Sequence, residues 1–140
     1  MKDGNDRYII YMSSTNFSFL NFKDKNWKAK FISYLPFNFD CIDPLKVLSD
    51  RATIVDQDIK DIQNSDFIVC YLGKKITIGT IMEIMYSVMY SKYTEQEKPI
   101  ILIDKYKIHR KHPWIKRWIH YIVDNEKQAA EKIEDLLDQS

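Results

Sequence analysis

Apolar runs of strand length alternate with stretches of helical period along the whole chain. Residues 67–72 (FIVCYL) and 99–103 (PIILI) are continuous and apolar, as expected of strands covered on both faces. Residues 8–13 (YIIYMS) read the same way, and 38–42 (NFDCI) and 120–123 (HYIV) read as shorter strands. Between them the period changes. Trp27, Phe31 and Leu35 fall at i, i+4 and i+8, which predicts a helix over 25–35 with Lys28 and Lys30 facing outward and Pro36 ending it. Val55, Ile59 and Ile62 mark the inner side of a helix over 53–64, and Asp56, Asp58, Lys60 and Asp61 its polar remainder. Residues 74–90 predict a buried helix, with Ile78, Met82, Met85 and Met89 as its inner stripe and Ile81, Ile84 and Val88 over much of the rest. Pro113 opens a short helix over 113–118, and Asp124 caps a last one to about residue 137, with Ala129, Ile133, Leu136 and Leu137 turned inward.

Strand and helix alternate from end to end, which predicts a parallel sheet with helices on both faces and right-handed crossovers. The expected architecture is a single flavodoxin-like, Rossmann-like α/β domain over residues 1–140, with residues 1–6 disordered. Its five strands take the order 2-1-3-4-5. Such a sheet binds ligands beyond the carboxyl ends of its strands, where the strand order reverses. The loops after the first, third and fourth strands meet there.

Composition narrows the function classes more than it selects one. The chain's 140 residues, 45% of them hydrophobic, suffice for one full core. A net charge of +1 provides no broad steering toward nucleic acid or anionic membranes. Cys41 and Cys70 lie in apolar strands without CxxC spacing, so they read as reduced thiols. With no signal-peptide pattern and no membrane-length apolar run, a cytoplasmic protein is expected. No GxGxxG follows the first strand and no GxxxxGK[ST] is present, so neither a dinucleotide nor a P-loop cofactor is expected. His109, His112 and His120 sit among Arg110, Lys111 and Lys116, which disfavours a metal cation there.

The candidate chemistry centres on Glu83, a lone acid in an apolar helix. A buried carboxylate is costly to ionise without partners. As a structural residue it would reach solvent or pair with a cation such as Lys75. As a functional one it would stand at the ligand edge of the sheet, one turn after Gly79, where a missing side chain leaves room. Asp58 borders the inner stripe of its helix. Tyr11 ends the first strand with a hydroxyl that needs a partner when buried, and Glu83 is one such partner.

Taken together these segments resemble the nucleoside 2-deoxyribosyltransferase superfamily, which includes the 2'-deoxynucleoside 5'-phosphate N-hydrolases and small phage-type members. The resemblance runs from Tyr8 to the last helix. It rests on Ile10-Tyr11-Met12-Ser13-Ser14 after the pattern IYLAGP, on Asp58 to Asp66 (DIKDIQNSD) after DLxxIxxSD, and on Gly79-Thr80-Ile81-Met82-Glu83 after GxxxE. The KPIILI strand and the His112-Pro113 pair complete it.

The resemblance implies that Glu83 is a nucleophile that holds deoxyribose as a covalent glycosyl-enzyme, that Tyr11 orients it, and that Asp58 contacts or protonates the base. It implies a substrate site drawn from Ser13, Ser14, Asp43, Thr77, Gly79, Thr80, Met82 and His112, with no metal or other cofactor. The implied partner is a small deoxynucleoside or deoxynucleotide, and neighbouring subunits are expected to complete each other's sites in a homo-oligomer. Two departures from the pattern bear on substrate. Thr77 stands where transferases carry an aspartate and where phosphate-binding hydrolases carry a hydroxyl. Ser13-Ser14-Thr15 replaces Ala-Gly-Pro. The competing expectations are a catalytically silent nucleotide-binding protein on the same scaffold, and a flavodoxin-like interaction module with a structural Glu83.

Overall fold

The computed structural model describes residues 7–14, 24–36, 38–44 and 51–139. The expectations for residues 1–6 and for Thr15 lie outside them. Five strands form one sheet in the order β2-β1-β3-β4-β5: β1 (Tyr8–Ser14), β2 (Phe39–Ile42), β3 (Phe67–Leu72), β4 (Ile100–Asp104) and β5 (Tyr121–Val123). Every neighbouring pair is parallel. The helices are α1 (Trp27–Ser33), α2 (Arg51–Asn64), α3 (Ile78–Thr94), α4 (Pro113–Trp118) and α5 (Glu126–Asp138). The sheet is thus the flavodoxin-like one expected, with the order reversing between β1 and β3.

The period-two alternation of the strands divides the core into two layers. Ile10, Met12, Val69, Tyr71, Ile101 and Ile103 face α1 and α5, where Trp27, Phe31, Ala129 and Ile133 are buried against them. Tyr11, Ile68, Cys70, Leu72, Ile100 and Leu102 face the other way, onto Ile62 of α2, Ile84 and Val88 of α3 and Ile119 after α4. All six residues of β3 are buried, so this central strand carries both layers.

The structure corrects four details of the sequence reading. The buried side of α3 is Thr80, Ile84, Ser87 and Val88, whereas Ile78 is 82% and Met82 64% exposed. The apolar residues surround the helix, so their spacing left its inner face undetermined, and the small polar Thr80 and Ser87 take the tightest packing. Val55 of α2 is likewise 57% exposed. Lys28 does not face solvent; its side chain is 13% exposed and ion-paired. Finally, α5 is capped by Asn125, whose side chain accepts from Gln128 N at 2.9 Å, one residue after Asp124.

Candidate active site

Three elements bring the candidate residues together at the reversal point. β1 supplies Tyr11 and Ser13, which point to the α2–α3 layer because they are two residues apart. α2 supplies Asp58, and α3 supplies Glu83 in its second turn. Strand β1 runs one residue further than its pattern suggests, through Ser14, and this places Ser13 inside the sheet, fully buried.

Ser13 Oγ donates to Glu83 Oε2 at 2.6 Å. Its hydroxyl therefore serves the carboxylate directly, holding it toward the sheet edge. Tyr11 Oη is buried and makes no hydrogen bond of ordinary geometry. Its phenol nonetheless stands close enough to Glu83 to favour the ionised carboxylate. The Tyr11–Glu83 hydrogen bond that the sequence suggests is thus supplied in the structure mainly by Ser13.

The electrostatics of Glu83 are a balance. Burial pushes its pKa up, the Ser13 hydrogen bond pulls it down, Asp58 raises it again, and Tyr11 and Lys28 lower it; the net direction is upward. Tyr11 is pushed far above the usual phenol range by burial first, then by Glu83 and Asp58, so it stays protonated. Cys70, directly beneath, is raised by burial and by the Glu83 charge and remains a thiol. Among the described residues this half-buried carboxylate has one strong donor and a second carboxylate near it, which leaves it with unspent basicity. It suits nucleophilic or proton-transfer chemistry better than structural pairing.

Thr77 is the N-cap of α3 in extended conformation, and its side chain makes no cap to the helix backbone. Its Oγ1 lies 3.0 Å from Thr80 Oγ1 instead. A Cβ built on Gly79 meets nothing within 4 Å. The first turn of α3 therefore presents free amide dipoles and open space one turn before Glu83, a setting suited to an anionic group.

On the other side of β1, a cleft of about 410 Å³ is lined by Ser14, Asn26, Trp27, Lys28, Cys41 and Asp43 among others. Lys28 Nζ pairs with Asp43 Oδ1 at 2.5 Å on its wall. The sequence named Asp43 and Ser14 but missed Lys28, because helical period alone places the residue after a buried Trp on the outside.

His112 is not part of this assembly. It caps α4, accepting from Trp114 N at 3.3 Å, and lines a separate apolar groove of about 410 Å³ with Ile81, Ile84, Met85, Trp114 and Trp118. Met82 projects from the exposed side of α3. Among the described residues no three His, Cys, Asp or Glu side chains gather as a metal would need. No described helix is long and apolar enough to cross a membrane.

No protein-family model and no curated protein sequence matches the chain. Its structure is similar to that of the Clostridium botulinum CMP N-glycosidase BcmB, with a TM-score of 0.57 and 16% identity over 90% of this chain and 97% of that one. At this identity the likeness establishes the shared fold, the same one that the order and spacing of the sequence segments point to.

Proposed function

We propose that the chain cleaves the N-glycosidic bond of 2'-deoxynucleosides or their 5'-monophosphates through Glu83. The carboxylate attacks the anomeric carbon, and the C1'–O bond forms as the C1'–N bond breaks. The bonding pair leaves with the base, which takes a proton from Asp58 or from water. Water or another base then attacks C1', its proton passing to the Asp58 carboxylate or to solvent, and Glu83 leaves as carboxylate. This is the two-step logic of a retaining glycosidase. The observation that carries the reading is the placement of Glu83: half-buried at the switch point, held by Ser13 at 2.6 Å, with Asp58 and Tyr11 beside it.

Tyr11, Ser13 and Lys28 keep the nucleophile oriented and ionised, while burial and Asp58 keep it basic. Thr77 with the free amides of Gly79 and Thr80 receives a 5'-phosphate, and Ser14 and Asp43 are assigned to the base. The similar glycosidase acts on CMP, so the discriminating panel is CMP, dCMP and each deoxynucleoside with its monophosphate, with and without an added free base. Base release from monophosphates alone marks a hydrolase, and base exchange marks a transferase. Binding without turnover leaves the nucleotide-binding reading in place of the enzymatic one.

The resemblance also suggests a homo-oligomer. Ile78 and Met82 are exposed beside Glu83, and Trp114 is exposed at the α3–α4 groove. Sedimentation equilibrium tests this, and a monomer at all concentrations overturns it.

A further inference from the structure

The loop from β4 to α4, outside the machinery above, is built around Asp104. This carboxylate is fully buried and accepts from the backbone amides of Ile108, His109 and Arg110 at 3.0 to 3.3 Å, and from Arg110 Nε at 3.0 Å. Lys107 sits in the left-handed region at φ 57. A non-glycine residue holds that conformation only where its surroundings fix it, and Asp104 does so here. Arg110 extends the brace, donating to Asp124 Oδ1 at 2.7 Å at the end of β5.

The same loop makes three contacts with two further segments at the sheet's carboxyl edge. Tyr106 Oη donates to Asp24, just before α1, at 3.1 Å. Lys74 Nζ lies 5.2 Å over the Tyr106 ring. His109 Nε2 lies 2.7 Å from the Gly73 carbonyl oxygen. A carbonyl only accepts, so His109 Nε2 carries the hydrogen. Two contacts thus tie this loop to the short segment between β3 and α3. That segment ends at Thr77, the start of the turn that faces Glu83.

We propose that His109 is a positioning residue: by donating to the Gly73 carbonyl it fixes the β3–α3 segment, and so sets Thr77, Gly79 and Thr80 for the phosphate-bearing end of the substrate. The proposal rests on the glycosidase reading for its kinetic part and on geometry alone for its structural part. Glu83 is held independently, by β1 through Ser13, so loosening the segment acts on substrate placement rather than on the nucleophile.

The test compares His109→Leu with His109→Gln, which keeps an N–H at comparable reach. In the ligand-free protein, hydrogen exchange of amides 74–80 is expected to quicken about 10-fold in the leucine variant and to stay near wild type in the glutamine variant, as a local opening would require. In turnover, the leucine variant is expected to raise KM for a monophosphate about 10-fold with kcat within about 2-fold, a loss of ground-state positioning. KM for the nucleoside moves little, and glutamine restores the monophosphate value. Unchanged exchange in the leucine variant overturns the latch. Faster exchange with unchanged KM, or with equal KM increases for nucleoside and monophosphate, overturns the positioning role. Because exchange is read without substrate, a failed latch and a failed glycosidase reading give different results.

Discussion

Two carboxylates, Asp24 buried and Glu83 half-buried, meet tyrosines on opposite faces of the same sheet, and they are treated differently. On the α1–α5 face, Asp24 accepts from Tyr71 Oη at 2.5 Å and from Tyr106 Oη at 3.1 Å, beneath the stacked rings of Trp27 and Tyr71. On the α2–α3 face, Glu83 has, among the described residues, one full hydrogen bond, from Ser13, a phenol that stops short of bonding, and a second carboxylate in Asp58. The first arrangement supplies phenolic donors to a charge and joins three segments of the fold. The second leaves basicity available and adds repulsion. A buried acid given its donors is a structural joint; one given too few is a reactive group kept at a cost in stability.

The largest expected effect separates the two directly. Glu83→Gln lowers turnover by roughly 10³-fold or more, as loss of a nucleophile does, while its melting temperature holds or rises. The sign follows from the raised pKa. Unfolding frees Glu83 to ionise at its ordinary, lower pKa, so its contribution to stability is present in acid and is lost as pH rises through the folded value. The thermal gain of Glu83→Gln should therefore grow between acid and neutral pH, as calorimetry across that range would read. A gain that shrinks instead would show that Glu83 is satisfied like Asp24.

Next in size is the converse variant. Asp24→Ala leaves two phenols without their acceptor, and costs about 3 kcal/mol of unfolding free energy in a denaturant titration, the range for removing a buried charged hydrogen-bond partner. Its kcat should stay within about 3-fold, because chemistry resides on the other face. A stability loss confined to the experimental error would remove the contrast.

Smaller shifts sharpen the electrostatic part. Asp58 raises Glu83 and Lys28 lowers it. The acidic limb of kcat/KM should therefore move to lower pH in Asp58→Asn and to higher pH in Lys28→Met, two displacements of opposite sign from one pH–rate series. Movement of both limbs in the same direction would contradict the balance described for Glu83.

The smallest effect concerns the turn before the nucleophile. Gly79 has no conformational need for glycine, since its φ is not positive and a Cβ meets nothing. Gly79→Ala is expected to stabilise the fold by about 0.5 kcal/mol through helix propensity while weakening substrate binding several-fold. Improved stability with unchanged KM would mean that the open space in front of Gly79 is not used.

The strands and their order were readable from sequence because period-two alternation and continuous apolar runs leave few alternatives once helices intervene. Glu83 was readable for a related reason: a single acid in an apolar helix stands out. The orientation of α3 was not, because a helix apolar nearly all round has no moment to orient it, and packing chose Thr80 and Ser87 for the inside. Ser13 as the partner of Glu83 was hidden by one residue of strand length. Lys28 was hidden because burial by an ion pair with Asp43, 15 residues away, leaves no trace in helical period. The Asp104 brace was not legible because the sequence shows the loop's charges but not the burial of the acid that organises them.

As a nucleophile, Glu83 would form a bond to the sugar. Rapid acid quenching of the protein during turnover, followed by mass spectrometry of its peptides, tests this most directly. The peptide containing Glu83 is expected to gain the mass of one deoxyribosyl or deoxyribosyl-phosphate group, and Glu83→Gln to gain none. Release of base with the sugar attached to a different residue, or at an undiminished rate from Glu83→Gln, would contradict it.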